Sequence, residues 1–208
     1  MKPKIVLIGG GGHCVSCIDV IEQENRFEIF GILDEVDRSR KELMGYPILG
    51  GDDELKSLRL SIRFAFITVG QILCPSPRIR LFDYAMSLGY TLPIIVSPRA
   101  YVSKNALIKQ GTIIMHDTLI NSRASIGRNC IINTKALIEH DALVKNHCHI
   151  STSAILNGGV VVGTGSFIGS GCAIKEGVSI GNNCVVGIGL NVRHSLTDNV
   201  RFTGYNKV

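Results

Sequence analysis

From Val96 to Val192 every sixth residue is an aliphatic, through Ile108, Ile120, Ile132, Ile138, Val144, Leu156, Ile168 and Val186, without one failure. Four residues after each of these stands mostly a small side chain, such as Ala106, Thr112, Ala136, Ala142 or Ser166. A period of six fits neither an α-helix, which needs apolar spacings of three and four along one face, nor a simple alternating strand. It is the signature of a parallel β-helix built from hexapeptides. Each hexad supplies a short strand and a corner, and three hexads return the chain to its starting direction one strand spacing, about 4.8 Å, further along. The aliphatics point inward and stack on their equivalents. The small residues admit the bend near the corners, and Gly or Asn in IGRN, VGTG, IGSG and IGNN supplies unusual dihedrals. Cys130, Cys148, Cys172 and Cys184 fall in the small-residue column and are expected to fill space there.

The chain has 208 residues, enough for two small domains. Hydrophobic residues make up 45% and charged residues 19%, a balance that predicts packed cores rather than extended disorder. The formal net charge of +5 is scattered rather than clustered, which argues against nucleic acid and suits a small anionic ligand. No apolar run approaches the roughly 18–20 residues of a membrane span, and the opening KIVLIG is too short for a signal-peptide core, so a cytoplasmic location is expected. Cys14 and Cys17 form a lone CVSC. It matches a thioredoxin-like site poorly, and no second CxxC completes a zinc site, so no metal is expected.

Residues 1–95 read differently. KIVLIG predicts a strand, GGGH a loop, CVSCIDVIEQE a helix and FEIFGILDE a second strand, a βαβ opening. RFAFITVG and YTLPIIV are further strand candidates, separated by a helical pattern in RIRLFDYAMSLG. This predicts a Rossmann-like α/β unit, with residues 96–208 as the β-helix and the boundary near Ser97-Pro98. Gly9–Gly12 lie between a strand and a helix start, where backbone N–H groups and the helix dipole favour a phosphate. The dinucleotide fingerprint is imperfect, since Cys14 stands where its third Gly or Ala belongs, while Asp34 closes the second strand where a ribose-binding acid sits.

A Gly-loop α/β unit followed by a hexapeptide prism carrying Asn133-Thr134 and Ile138-Glu139-His140-Asp141 resembles a group of bacterial sugar acyltransferases. The group includes the N-acetyltransferases of UDP-4-amino-sugars in bacillosamine synthesis, the perosamine N-acetyltransferases, and proteins named as sialic acid O-acetyltransferases. The resemblance implies a left-handed coil, a homotrimer, a nucleotide-sugar held by the N-terminal domain, and acetyl-coenzyme A in the groove between neighbouring prisms. It further implies His140 as general base with Asp141 raising its basicity. His149, Ser170 and Ile188 become the expected acetyl-coenzyme A contacts, and Gly12, His13, Asp34, Glu35 and Gly70 the expected substrate ligands. The chemistry agrees: a sugar amine attacking a thioester must lose a proton, and imidazole accepts one near neutral pH. Ser170 and Ile188 are one full coil apart, which stacks them along one prism edge.

The segment QILCPSPRIR after Gly70 is longer than the connection usual in that group, and FTGYNKV lacks its Gly-x-Pro-Ala-Lys ending. His116-Asp117 has the same hexad phase as His140-Asp141 but falls on another corner and lacks the INT…IEHD context. As the alternative to catalysis, His116 is expected to be a solvated corner side chain. O-acetylation of a sialic-acid-like sugar, and a non-catalytic or metal-binding hexapeptide trimer, are the competing functions.

Overall fold

The computed structural model describes residues 1–35 and 41–204. Its N-terminal unit is a five-stranded sheet of order β3-β4-β2-β1-β5, formed by β1 (Lys4–Ile8), β2 (Glu28–Leu33), β3 (Glu42–Leu43), β4 (Tyr46–Gly50) and β5 (Phe64–Ile67). Strands β4, β2, β1 and β5 are parallel, and β3 folds back on β4 as a hairpin through Met44 and Gly45, both at positive φ. Three helices accompany the sheet: α1 (Gly12–Glu24), the single turn α2 (Leu55–Leu58) and α3 (Ser76–Ser87). The β3–β4 hairpin was not foreseen, although the Met-Gly pair inside ELMGYPIL is a turn signal.

YTLPIIV is not a strand of this sheet. Thr91 makes a single parallel bridge to Phe64, Pro93 has no N–H to extend the ladder, and Ile95–Val96 already belongs to the prism.

Among the described residues, eighteen two-residue strands form three parallel ladders of seven, six and five. The first face runs from Ile95–Val96 through Ile131–Ile132 and His149–Ile150 to Arg201–Phe202. The second runs from Tyr101–Val102 to Asn191–Val192, and the third from Leu107–Ile108 to Ser179–Ile180. Partners are eighteen residues apart in register, as Ile132 to Ile150 and Ile138 to Leu156 show, except for the last pair, Val185 to Arg201, at sixteen. The six-residue aliphatics form the core, fully buried from Ile114 to Leu156 and only partly covered at Val96, Val102 and Ile108, where the prism is open at its end.

The corner mechanics divide between two columns. From Ile108 to Val186 the bend is made three residues after each inward aliphatic, where Gly111, Asp117, Arg123, Asn129, Lys135, Asp141, His147 and their successors all have positive φ. The small column one place later is not at the bend but in the core: Ala124, Ala136, Ala142 and Ala154 are buried. Its polar members share one task. Thr112, Ser166, Cys130, Cys148 and Cys172 each donate to a carbonyl fifteen residues on, at 2.7, 2.8, 3.1, 3.0 and 2.7 Å. A buried carbonyl without a partner costs about 1–3 kcal/mol, which explains why hydroxyl and thiol side chains alternate with alanine there.

The two units share a core. On the first face the outward residues Ile95, Ile113 and Ile131 pack with Cys14, Cys17 and Ile18 of α1, so the CVSC pair is buried filler on one helical face. His116 closes this junction: its ring meets Ser97 Oγ at 2.6 Å and Asp19 Oδ2 of α1 at 2.7 Å. The expected solvated corner is therefore a clasp between units.

Candidate functional site

The Gly loop treats its four glycines differently. Gly9 has φ +106, and a Cβ there would lie 2.4 Å from Val69 Cγ2; a Cβ on Gly10 would lie 2.5 Å from Asp34 Oδ2. Gly11 and Gly12 face open space, and α1 starts there with no side-chain cap. Packing thus fixes the first two glycines, while the helix start has no side-chain cap and leaves space in front of Gly11 and Gly12. Asp34 is buried beside this loop and lines a cleft of about 300 Å³ with Lys41, Leu49, Gly50, Gly51 and Asp53. Glu35 lies at the rim of this cleft beside Gly51, its Oε1 accepting from the Asp52 N–H at 2.7 Å.

His13 and Gly70 adjoin at the next position: a Cβ on Gly70 would touch His13 Cβ at 3.5 Å. The His13 ring lies 6.5 Å from that of His149, which packs edge-on against Phe167 at 5.2 Å. His149 is buried, with Nδ1 on the Gln71 carbonyl at 2.6 Å and Nε2 near the Asn133 amide at 3.2 Å. Burial lowers the pKa of His13 to about 3, with Arg78 and His149 adding to it, and that of His149 to about 4, so both rings are neutral at pH 7. Arg78, which sequence reasoning did not single out, donates to the carbonyls of Ile67 and Val69 and to Asn129 Oδ1, stapling QILCPSPRIR to the prism. Gln71 does likewise through the carbonyls of His147 and Gly165.

His140 is elsewhere. It occupies the corner between the second and third faces, across the triangle from the first face, which carries the N-terminal unit. Its side chain is 62% exposed, and Nδ1 lies 2.8 Å from Asp141 Oδ2. Arg123, one coil earlier, grips Asp141 with Nε on Oδ1 at 2.6 Å and a terminal nitrogen on Oδ2 at 2.7 Å. Arg123 and then His140 hold the Asp141 carboxyl well below the usual carboxylate range. An ionised carboxylate only accepts, so Nδ1 donates to it and Nε2 is left out of this pair. Glu139 Oε2 accepts from the His140 main-chain N–H at 3.3 Å and from the Asn121 amide at 2.9 Å. Gly158, one coil later, leaves room for the ring: a Cβ there would lie 2.8 Å from His140 Nε2.

Ser170 and Ile188 stack on a third location, the corner between the first and second faces. Ile188 is 75% exposed, and no atom approaches within 4 Å of the Cβ positions of neighbouring Gly171 and Gly189, so the backbone of this edge is open to a ligand. The predicted residues therefore gather at three places on one chain: the Gly-loop group with His149, the Ser170–Ile188 edge, and the His140 corner.

The family description "PglD N-terminal domain" matches residues 4–83. A variant of perosamine N-acetyltransferase from Caulobacter crescentus, solved with coenzyme A and GDP-perosamine, is 32% identical over 95% of this chain and 92% of that one, with a TM-score of 0.89. The chain belongs to the nucleotide-amino-sugar acetyltransferase family. The acetyltransferase domain of PglB from Neisseria gonorrhoeae, solved with acetyl coenzyme A, is 27% identical over 96% of this chain and 95% of that one, with a TM-score of 0.88. WeeI from Acinetobacter baumannii, 20% identical, shares the fold over 95% of this chain and 94% of that one with a TM-score of 0.82. No curated protein matches the sequence. A Rossmann-like α/β unit followed by a left-handed hexapeptide β-helix is thus the architecture of an acetyl-coenzyme A-dependent acyltransferase of this family. Among the described residues no three His, Cys, Asp or Glu side chains of one chain converge as metal ligands, and no helix is long and apolar enough to cross a membrane.

Proposed function

We propose that this chain transfers the acetyl group of acetyl-coenzyme A to the amine of a nucleotide-linked amino-deoxy sugar, as the activity fits the relatives solved with GDP-perosamine and coenzyme A. The observation that carries the reading is the His140 corner, an exposed imidazole whose Nδ1 is committed to an ionised carboxylate and whose Nε2 is bare. The thioester supplies an activated acyl group, and the protein has to remove one proton from the attacking amine. Nε2 takes that proton, and Asp141 stabilises the imidazolium.

In this reading the open N–H groups at Gly12 bind the diphosphate, Asp34 and its cleft take the nucleoside, and His13, Gly70 and Glu35 border the sugar nucleotide. Ser170 and Ile188 offer backbone to the pantetheine arm, and His149 is taken as a further acetyl-coenzyme A contact. The base lies across the prism from the unit that would hold its substrate, so a complete site has to combine edges of different copies. That requirement, with the exposed apolar residues Tyr101, Leu107 and Leu119 on the two faces the N-terminal unit leaves bare, supports a homotrimer.

His140→Ala is expected to lower turnover by about 10²–10⁴-fold while leaving assembly and ligand binding intact, the usual contribution of a general base. Thiol release from acetyl-coenzyme A, measured across UDP-, GDP- and dTDP-linked amino sugars, provides the assay. Undiminished turnover would remove His140 from the chemistry.

A further inference from the structure

Two Arg–Asp pairs repeat along the prism in the same geometry. Arg99 and Asp117 stand one coil apart at 3.1 and 2.8 Å, and Arg123 and Asp141 one coil apart at 2.6 and 2.7 Å. Asp117 and Asp141 share a left-handed corner backbone, with φ of 56° and 61°, and in each pair the planar fork of the arginine one coil earlier meets both carboxylate oxygens. The pairs differ in the preceding histidine. His116 is turned to Ser97 and Asp19, whereas His140 stays on Asp141 Oδ2, the same oxygen that Arg123 holds.

We propose that Arg123 is a positioning residue for the base, orienting the Asp141 carboxylate toward Nδ1 and moderating how strongly that carboxylate raises the basicity of His140. This rests on His140 being the base. The orienting effect follows from the bidentate fork: with Oδ1 on Nε and Oδ2 on the terminal nitrogen, the carboxylate cannot rotate about its last bond, and Oδ2 keeps facing the imidazole. A single-point contact leaves that rotation free. The moderating effect follows from charge. A carboxylate shared with a guanidinium attracts an imidazolium less than one left alone, so Arg123 keeps the ring able to release its proton between turnovers. The charged groups in contact with this corner among the described residues are Arg123, Asp141 and Glu139, whose carboxylate faces the His140 main-chain N–H rather than the ring.

The test compares Arg123→Gln, Arg123→Lys and Arg99→Gln, assayed by thiol release over pH 5 to 9 with the assembled protein. Arg123→Gln is expected to lower kcat about 10-fold, the low end of the effect of groups that orient a catalytic histidine, with KM for both substrates changed less than about two-fold. Its acid limb of kcat/KM moves to higher pH, because the uncompensated carboxylate now favours the imidazolium. Arg123→Lys returns the limb toward its original pH, having restored the charge, but not kcat, having lost the fork. Arg99→Gln removes the sister pair and leaves kcat and the pH limb unchanged. A wild-type kcat and pH limb in Arg123→Gln, or the same loss in Arg99→Gln, would reduce Arg123 to a stacking contact of the coil. Failure of the base assignment shows separately, as turnover surviving His140→Ala.

Discussion

Gly158 lies beneath the imidazole of His140, and an added Cβ would meet Nε2 and Cε1 at 2.8 Å. The obstructed atoms are the far end of a side chain, so the ring rather than the coil gives way. Gly158→Ala is therefore expected to lower kcat about 10-fold, as misplacement of a reacting atom by a fraction of an ångström does, with its melting midpoint close to wild type. Rate and melting measured on one preparation check this; a folded variant with full turnover would show that the ring is not confined from below. The contact between the His140 ring and the Asp141 carboxylate joins neighbours in sequence, so IEHD alone was enough to bring the pair to attention. Arg123 and Gly158 were not legible in this way. Each is eighteen residues from the residue it serves, and in a hexapeptide prism that distance means contact, so the coil length was itself the signal. His116 shows the opposite case, where hexad phase marks a corner but the partner, Asp19, comes from another unit whose docking no repeat encodes.

At the scale of the element, the prism was readable because inward positions recur without exception and the register leaves no freedom: a one-residue slip would turn Ile120 outward and Leu119 inward. Neighbours in one strand thus make separable predictions. Ile120 is buried, and Ile120→Ala is expected to destabilise the fold by about 2–5 kcal/mol, seen as a lower denaturant midpoint. Leu119 is 38% exposed in the single chain, and Leu119→Ala should leave the intrinsic fold within about 1 kcal/mol but weaken self-association, measured by sedimentation across a dilution series. Equal effects of the two would contradict the inward and outward assignment. The N-terminal unit was less legible, since β3 is only two residues long and Pro93 diverts the last expected strand into the prism. The C-terminal departure FTGYNKV was read from sequence alone: Arg201–Phe202 continues the first face, and residues 205–208 are outside those described.

For the whole molecule, the junction between the units has a thermodynamic consequence. It buries His13 and His149 as neutral rings, their pKa values lowered to about 3 and about 4 chiefly by desolvation. Unfolding returns both to water, where imidazole titrates near 6.5. The native state therefore binds fewer protons than the unfolded one wherever the pH lies between the folded and unfolded values, and stability falls with acidification. The contribution is complete above about pH 6.5 and is lost progressively as the pH drops toward 4 for His149 and 3 for His13. Between pH 6.5 and 5 the loss amounts to about 2 kcal/mol for each ring, at roughly 1.4 kcal/mol per pH unit. Denaturant unfolding at pH 7, 6 and 5 should record this decline, and His149→Gln should flatten it by about half, since an amide cannot be protonated in this range. His140 is exposed on the opposite corner, and His140→Ala should leave the buried junction intact while lowering turnover about 10²–10⁴-fold. Such a separation would mean that acid acts on the seam where the sugar nucleotide is expected to sit, through groups distinct from the proposed base. An unaltered slope in His149→Gln would instead place water at that ring in solution and remove it from the buried junction.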